Sequence, residues 1–331
     1  MDIGGRPLGP RARDRARRTL TAGLRCAPDR LFAPLRRSFA LSPPNTMNHR
    51  LQHAILRTAR YRGLPAQLDS FALSDNPSVR IVNADSFIVE WLYWFGEQYG
   101  YEASTIHWWK CFCARSSSIV DFGANIGYYA VQGALNAPAA RYTAIEPHPG
   151  GAALCRRNLE LNGIRNVDVV EAAAVGDIST PTVELLLPGG RDHYTDAPCG
   201  GFVGVNAVHG VAENRSSYTS VTVPTVPISS VVTSDTDLIK MDVEGQEHTL
   251  LSAVLGQLKE TRPPIFLELL NDTSDLRTLI IDELMPHGYR CLVPTAQTLV
   301  PLSAADVRDV SLVDDYGTRD IVLTPSRDVA G

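Results

Sequence analysis

The sequence predicts an α/β fold, with a doubly wound and mostly parallel seven-stranded sheet and an N-terminal helical extension. From residue 117 onward, short apolar runs alternate with segments whose apolar residues recur three and four positions apart, as in strands followed by helices. Each crossover between parallel strands must return over the sheet, so this alternation places helices on both faces. The last three apolar segments lack helical patterns between them and suit an antiparallel edge.

Composition along the chain predicts three regions. At 331 residues and 44% hydrophobic, the chain can bury a substantial core. Residues 1–46 are rich in Arg, Pro and Gly and are predicted to form a basic, flexible extension. Residues 47–115 carry helical patterns and predict a helical prelude packed on the sheet, and residues 116–331 are predicted to form the ligand-binding domain. Within that domain, residues 189–220 show no clear period and predict a long loop.

Charge and cysteine usage indicate which kinds of partner and which cellular compartment suit this sequence. The net charge is −5, but the first 40 residues hold ten Arg and three Asp, a surplus of seven, so the remainder carries −12. An acidic body is poorly suited to phosphates, which argues against a nucleic-acid partner. No apolar stretch reaches the roughly 20 residues of a membrane span. Six cysteines without CxxC pairs indicate reduced thiols and a cytoplasmic location.

A glycine-rich turn follows the first strand of the alternating pattern. In VDFGANIG, residues 120–127, a strand ends at Phe122 and the chain turns at Gly123 into a helix. The turn lies at the carboxyl edge of the sheet, where open α/β folds bind ligands. Gly123 and Gly127 have no side chains, so a ligand could approach the main chain closely. Asp121 would repel a pyrophosphate and attract an ammonium group, which indicates a ligand with an amino-acid moiety.

The next two strands predict the rest of that ligand. The second strand ends on Glu146, 23 residues after Gly123, near the offset of about 20 at which these folds place a ribose-binding acid. A carboxylate can accept hydrogen bonds from both hydroxyls of a diol. The third strand is predicted to end with the small residues Ala173 and Ala174, beside which an adenine could lie flat. An amino acid joined to a ribose indicates S-adenosylmethionine as the cofactor.

These motifs resemble those of class I S-adenosylmethionine-dependent methyltransferases, and specifically those of the FkbM family. The resemblance covers roughly residues 80–325 and is carried by VDFGANIG at 120–127, AIEPHP at 144–149, NLELNGIRNVDVVEAAAVGD at 158–177, DLIKMDVEGQE at 237–247 and PPIFLEL at 263–269. It implies a hydroxyl acceptor and cofactor contacts from Asp121, Gly123, Asn125, Glu146, Ala173 and Ala174. The same cofactor site is predicted to include Gly127, Pro147 and Asp242.

The predicted catalytic groups are acids that follow the fourth and fifth strands. Asp242 and Glu244 come after one strand and Glu268 ends the next, so all three should meet at the carboxyl edge. Carboxylates in one cleft raise each other's pKa, which suits a general base near neutral pH. Asp242 is the first choice for the base and Glu268 the second, while Glu244 either takes a catalytic part or holds the turn through backbone amides. His193, in the long loop, is the best-placed histidine.

The predicted function is O-methylation of a hydroxyl on a glycan, glycolipid or specialised metabolite. A polyketide or other small-molecule hydroxyl is an alternative acceptor, and a non-catalytic module that keeps the cofactor fold is an alternative class. A nucleotide-cofactor oxidoreductase would need the GxGxxG turn that the chain lacks. Asp242, Glu268 and Asn271 could together hold Mg²⁺, although nothing in their spacing demands a metal, and the site is predicted without one.

Overall fold

The computed structural model describes residues 33–40, 68–176, 180–188, 202–203, 218–270 and 273–325. The chain divides into two compact units, one up to Tyr101 and one from Glu102 onward. Most of the predicted basic extension, residues 47–67 of the predicted helical prelude and most of the predicted loop at 189–220 lie outside the described residues. The three predicted regions therefore stay predictions.

Within its described residues, the first unit shows two helices and a two-stranded antiparallel sheet: α1 (Ala33–Ala40), β1 (Ser70–Ala72), β2 (Arg80–Val82) and α2 (Phe87–Phe95). Helix α1 lies inside the range predicted to be flexible, yet its Arg36 is buried. The guanidinium donates hydrogen bonds to the Tyr93 carbonyl at 2.8 Å and the Ala72 carbonyl at 2.9 Å, and lies 4.0 Å from the centre of the Tyr93 ring. Arg36 therefore ties α1 to β1 and α2.

The second unit is built on an eight-stranded sheet. Its strands are β3 (Ser118–Phe122), β4 (Arg141–Ile145), β5 (Val167–Val170), β10 (Leu238–Met241), β11 (Ile265–Glu268), β12 (Tyr289–Pro294), β13 (Leu299–Leu302) and β14 (Asp320–Pro325). The spatial order is β13-β12-β14-β11-β10-β3-β4-β5, and the five strands from β11 to β5 are parallel. The prediction of a mostly parallel, doubly wound α/β sheet is confirmed, with eight strands rather than seven because all three C-terminal segments join it.

The antiparallel edge predicted for the C-terminal segments is confirmed, because β14 pairs antiparallel with both β11 and β12, and β12 with β13. The prediction that no helices separate these strands is wrong. Between β13 and β14 lie α10 (Ala304–Asp309) and α11 (Leu312–Tyr316). Helix α10 begins at a capping box, in which Ser303 and Asp306 each accept the other's backbone amide, and such a cap can start even a short helix.

Helices cover both faces of the sheet. They are α3 (Ala103–Cys113), α4 (Tyr128–Asn136), α5 (Pro149–Leu161), α6 (Ile228–Val231), α7 (Glu247–Ala253), α8 (Leu255–Thr261) and α9 (Ser274–Leu279), and α9 continues through a π-helical turn (Ile280–Leu284) and a 3₁₀ turn (Met285–His287). Alternate strand residues point to opposite faces, so Val120 and Phe122 join the apolar core under α7–α9. On the other face, the buried Trp109 ring of α3 packs edge-on against Phe266, with 5.2 Å between the ring centroids.

A second sheet has the strand order β6-β9-β7-β8. Its strands are β6 (Ala173–Val175), β7 (Thr182–Pro188), β8 (Phe202–Val203) and β9 (Tyr218–Pro227). The prediction of one third strand running through Ala173 and Ala174 is wrong. Strand β5 stops at Val170, where its neighbour β4 also ends, and Ala173–Val175 instead pair in parallel with Thr225–Pro227. None of the helices in the described part of the chain is long and apolar enough to cross a membrane.

Candidate active site

The glycine loop between β3 and α4 uses all of its backbone amides within the protein. Gly123 and Ala124 donate to the Ile145 carbonyl at 2.9 and 3.0 Å, Asn125 to Glu146 Oε2 at 2.7 Å, Ile126 to Asn125 Oδ1 at 2.8 Å and Gly127 to the Ala124 carbonyl at 2.8 Å. A phosphate-binding loop needs amides that point at the anion. Since residues 123–127 keep none for that purpose, the loop is not built to hold a pyrophosphate, and this argues against a dinucleotide cofactor.

Gly123 and Gly127 are required by the close approach of neighbouring protein atoms. Both have positive φ, 77° and 78°. A Cβ on Gly123 would lie 1.8 Å from the backbone oxygen of Asp242, and one on Gly127 would lie 2.5 Å from Cys155 Sγ. Protein atoms fill the space on the Cβ side of both glycines, and the approach of a ligand to the main chain stays a prediction. Gly123 brings the glycine loop against the turn that carries Asp242.

Glu146 follows β4 and joins the glycine loop to the next turn. It is buried, and its carboxylate accepts hydrogen bonds from the amides of Asn125 at 2.7 Å and His148 at 2.8 Å, one on each oxygen. Burial raises the pKa of Glu146 to about 7, although the two amides work against that rise. A carboxylate offers about four acceptor positions, so two remain for a diol. Pro147, next in the chain, is half-buried.

Asp121 is fully buried on the sheet face that α3 and α4 cover. Its Oδ2 accepts a hydrogen bond from the Tyr142 hydroxyl at 3.0 Å, and its Oδ1 lies 3.9 Å from Lys240 Nζ. Burial raises the pKa of Asp121, while the Lys240 ammonium and the Tyr142 hydroxyl lower it in part. The carboxylate thus faces two protein groups. Contact with the ammonium group of a ligand, predicted from the sequence, stays a prediction.

The two alanines predicted to border an adenine lie in β6. Ala173 is buried in a small apolar cluster with Leu185, Leu187 and Val223 of the second sheet. Ala174 points the other way, is half-buried and packs against the main core. Of the two, Ala174 has the side chain that a ligand could touch.

Lys240 lies in the middle of β10, in a strand that is otherwise apolar. Its ammonium donates a hydrogen bond to Asp242 Oδ2 at 3.2 Å and lies 4.6 Å from the centre of the Tyr129 ring. Burial lowers the pKa of Lys240, but the carboxylates of Asp242, Asp121 and Glu102 outweigh it and hold the pKa above its ordinary value. Lys240 is therefore a buried cation, which the sequence interpretation left without a role.

The turn after β10 is held by Glu247. Its Oε1 accepts the amides of Val243 at 3.0 Å and Gly245 at 3.3 Å, and the side chain is buried at the start of α7. Glu244 and Gly245 both have positive φ, 51° and 91°. Glu247 thus performs the turn-holding role that the sequence interpretation considered for Glu244. A catalytic role for Glu244 stays a prediction.

Glu268 ends β11 with its side chain 12% exposed, and its Oε1 lies 3.5 Å from Arg319 Nη1. Burial, together with the charges of Asp242, Glu244 and Asp320, raises the pKa of Glu268 to about 9. A carboxyl group with this pKa keeps its proton at neutral pH, so it would donate a hydrogen bond rather than accept a proton. The roles of Asp242 and Glu268 as candidate bases stay predictions.

Asp320 is the direct cross-strand partner of Glu268 in the antiparallel β11–β14 pair. It accepts a hydrogen bond from the Thr105 hydroxyl at 2.5 Å, and burial raises the pKa of Asp320 to about 6. Asn271, the third ligand in the magnesium alternative, lies outside the described residues. In the part of the chain that the structure describes, no group of three His, Cys, Asp or Glu is arranged to hold a metal ion.

Two histidines close to the site have positions that the structure defines. His148 caps α5, its Nδ1 accepting the Gly151 amide at 3.0 Å, and burial lowers the pKa of His148. His248 is exposed on α7. His193, predicted as a catalytic candidate, lies outside the described residues.

Residues 121–291, just over half of the chain, match the family model described as the methyltransferase FkbM domain.

Similar solved structures include methyltransferase FkbM from Methylobacillus flagellatus KT, 16% identical over 63% of this chain and 43% of that chain with a TM-score of 0.35. Cofactor-bound Rv0187 from MTB is 12% identical over 68% of this chain and 81% of that one, with a TM-score of 0.37. M. jannaschii TYW2 in complex with AdoMet is 13% identical over 68% and 76%, with a TM-score of 0.31. The chain thus spans less than half the length of the first of these structures. No curated protein matched the sequence.

Proposed function

Because this chain belongs to the methyltransferase FkbM family, we propose that it is an S-adenosylmethionine-dependent O-methyltransferase acting on a hydroxyl of a glycan, glycolipid or specialised metabolite. The observation that carries the proposal is the pairing of the glycine loop with Glu146. The loop amides are all engaged, while the Glu146 carboxylate keeps acceptor positions for a diol. A nucleoside without phosphates fits such a site, and a dinucleotide does not.

In this proposal the residues at the ends of β4, β10 and β11 have separate roles. When bound, S-adenosylmethionine supplies a methyl group on a sulfonium sulfur, which keeps the electron pair of the broken carbon–sulfur bond and becomes a neutral thioether. Glu146 holds the ribose hydroxyls. Asp242 accepts the proton that the acceptor hydroxyl loses as its oxygen bonds to the methyl carbon. Glu268, protonated at neutral pH, donates a hydrogen bond that orients the acceptor.

The acceptor we propose is uncharged and of small-molecule or glycan type. Asp242, Glu244 and Asp320 surround Glu268 closely enough to raise its pKa, and this negative charge opposes an anionic polymer such as nucleic acid. A polyketide hydroxyl meets the same requirement and is the second candidate. We place the protein in the cytoplasm because the cysteines of the described residues, Cys111, Cys113, Cys155 and Cys291, are free thiols.

Ligand binding and methyl transfer test the proposal separately. At 100 times its Kd, S-adenosylhomocysteine should stabilise the fold by about 2.7 kcal/mol and raise the melting temperature. A rise with NAD in its place would favour an oxidoreductase. Transfer of tritium from methyl-labelled S-adenosylmethionine to a panel of neutral methyl glycosides and macrolide alcohols, but not to RNA, is the expected result. Ligand binding without transfer to any alcohol, in the presence or absence of Mg²⁺, would favour a non-catalytic module.

A further inference from the structure

Lys240 connects the strand that precedes the glycine loop with the acid proposed as the base. In the parallel sheet its Cα is in register with that of Asp121 on one side and Phe266 on the other. The Nζ atom lies 3.2 Å from Asp242 Oδ2 and 3.9 Å from Asp121 Oδ1. Asp121 in turn accepts the Tyr142 hydroxyl on its other oxygen. A continuous row of polar groups therefore runs across three strands to Asp242.

An aromatic cluster lies on one side of this ammonium. The Tyr129 ring, 4.6 Å from Lys240 Nζ, packs against Trp109, which also packs against Tyr142 and Phe266. The Lys240 side chain is only 6% exposed. Burying an ion pair in such a place is costly, and a well-packed apolar side chain is often at least as stable there. Fold stability alone does not account for a cation at this position.

The contact leaves one oxygen of Asp242 available. Only Oδ2 of its carboxylate accepts a hydrogen bond from the described residues, and the side chain is 26% exposed, against 6% for Lys240. The ammonium thus holds the carboxylate from its buried side. The backbone of the same residue is fixed as well, because its amide donates to the Phe122 carbonyl at 3.1 Å.

We propose that Lys240 is a positioning residue: its ammonium fixes Asp242 through Oδ2 and presents Oδ1 to the acceptor hydroxyl, while Asp121 and Tyr142 support the reaction by holding Lys240. The proposal rests on the proposed function, since the acceptor hydroxyl is the group that Asp242 serves. The proposal also gives a role to Asp121, which is completely buried. A carboxylate that is enclosed by protein acts on a ligand through the groups that it contacts.

The chain has three lysines, Lys110, Lys240 and Lys259, which permits a spectroscopic test that needs no acceptor. With ¹⁵N-lysine labelling of the full chain, the buried Lys240 ammonium should give a signal at neutral pH that is lost in Lys240→Met. We expect this signal to shift in Asp242→Asn and in Asp121→Asn. Glu283→Gln is the matched control, because Glu283 pairs with Lys259. A Lys240 signal that is unchanged in Asp242→Asn would overturn the proposal.

Kinetics separate positioning from a structural role. With methyl-labelled S-adenosylmethionine and the alcohol panel, Lys240→Met should lower kcat about tenfold or more, the loss expected for one charge-assisted hydrogen bond. The Kd of S-adenosylhomocysteine should stay within about threefold of wild type, and Lys240→Arg should retain more of kcat than Lys240→Met. Lys259→Met should match wild type.

The outcomes separate this proposal from the proposed function. A wild-type kcat in Lys240→Met overturns the positioning role, as does a loss confined to S-adenosylhomocysteine affinity or to the melting temperature. A wild-type protein that does not bind S-adenosylhomocysteine counts against the proposed function instead. In that case the lysine spectrum still decides whether Lys240 holds Asp242.

Discussion

Replacing Glu146 with Gln should abolish a pH dependence of S-adenosylhomocysteine binding that the wild-type protein is expected to show. Burial raises the pKa of Glu146 to about 7 in the free protein. Ribose hydroxyls donate hydrogen bonds, so they bind the ionised carboxylate in preference to the protonated one. Affinity is therefore fully present above this pKa and is lost as the pH falls through it.

The magnitude follows from the fraction ionised. A group with a pKa of about 7 is about nine-tenths ionised at pH 8 and about one-tenth ionised at pH 6. The Kd measured by isothermal titration calorimetry should then rise about tenfold between those two pH values. At pH 8, Glu146→Gln should bind about 10–100 times more weakly than wild type, since each charge-assisted hydrogen bond contributes about 1.5–3 kcal/mol. Its Kd should vary little with pH.

The control for this titration is Glu160→Gln, which removes an exposed acid of α5. It should keep both the wild-type affinity and the wild-type pH dependence. Asp121 also has a raised pKa nearby, so a residual slope in Glu146→Gln would report that group. A wild-type Kd that is flat between pH 6 and 8, or a slope that survives unchanged in Glu146→Gln, would refute the assignment of Glu146 to the ribose.

Three further predictions concern stability. Gly163→Ala, at φ +70° in open space, should cost roughly 1–2 kcal/mol for the left-handed backbone alone. Gly123→Ala should cost clearly more and weaken S-adenosylhomocysteine binding, because its Cβ also meets a backbone oxygen at 1.8 Å; equal unfolding free energies in the two variants would contradict the contact. The pKa of Glu268 is raised from 4.5 to about 9, so the folded state holds that proton more tightly and stability should fall as the pH rises between these values. Glu268→Gln should flatten this fall in thermal melts, and an unchanged slope would show that Glu268 is not buried as described. Arg36→Ala should destabilise the first unit by about 3–6 kcal/mol in urea unfolding, because two charge-assisted hydrogen bonds are lost, whereas the exposed Arg37→Ala should have little effect. Similar values for the two variants would contradict the contacts of Arg36 with β1 and α2.

The sequence predicted the parallel part of the sheet because strands and helices each leave a local period. The course of the third strand could not be predicted, because its pairing depends on a segment far away in the sequence. Ala173–Val175 pair with Thr225–Pro227, about 50 residues later, and no local pattern states which distant strand will receive a segment. The sequence carries a local signal for the first helix before β14, the capping box of Ser303 and Asp306. The sequence interpretation followed the apolar pattern instead and missed this helix.

The sequence could name the residues of the candidate site but not the contacts that they make in the fold. Gly123 was recognised as a position without room for a side chain, but the atom that occupies the space belongs to Asp242, more than 100 residues away. Glu146 stood at the offset of a ribose-binding acid, while its hydrogen bonds to the glycine loop depend on the folded turn. Lys240 did leave a signal, because a lysine inside the strand LIKM must find a buried counter-charge.

The contact between Gly123 and the Asp242 carbonyl matters for anyone who would re-engineer this protein for a new acceptor. Because the two loops touch through main-chain atoms, a substitution that re-aims one of them displaces the other, and a gain in acceptor range would come with weaker cofactor affinity. Libraries aimed at new substrates are better directed at Arg319, whose exposed side chain approaches Glu268 and belongs to neither loop.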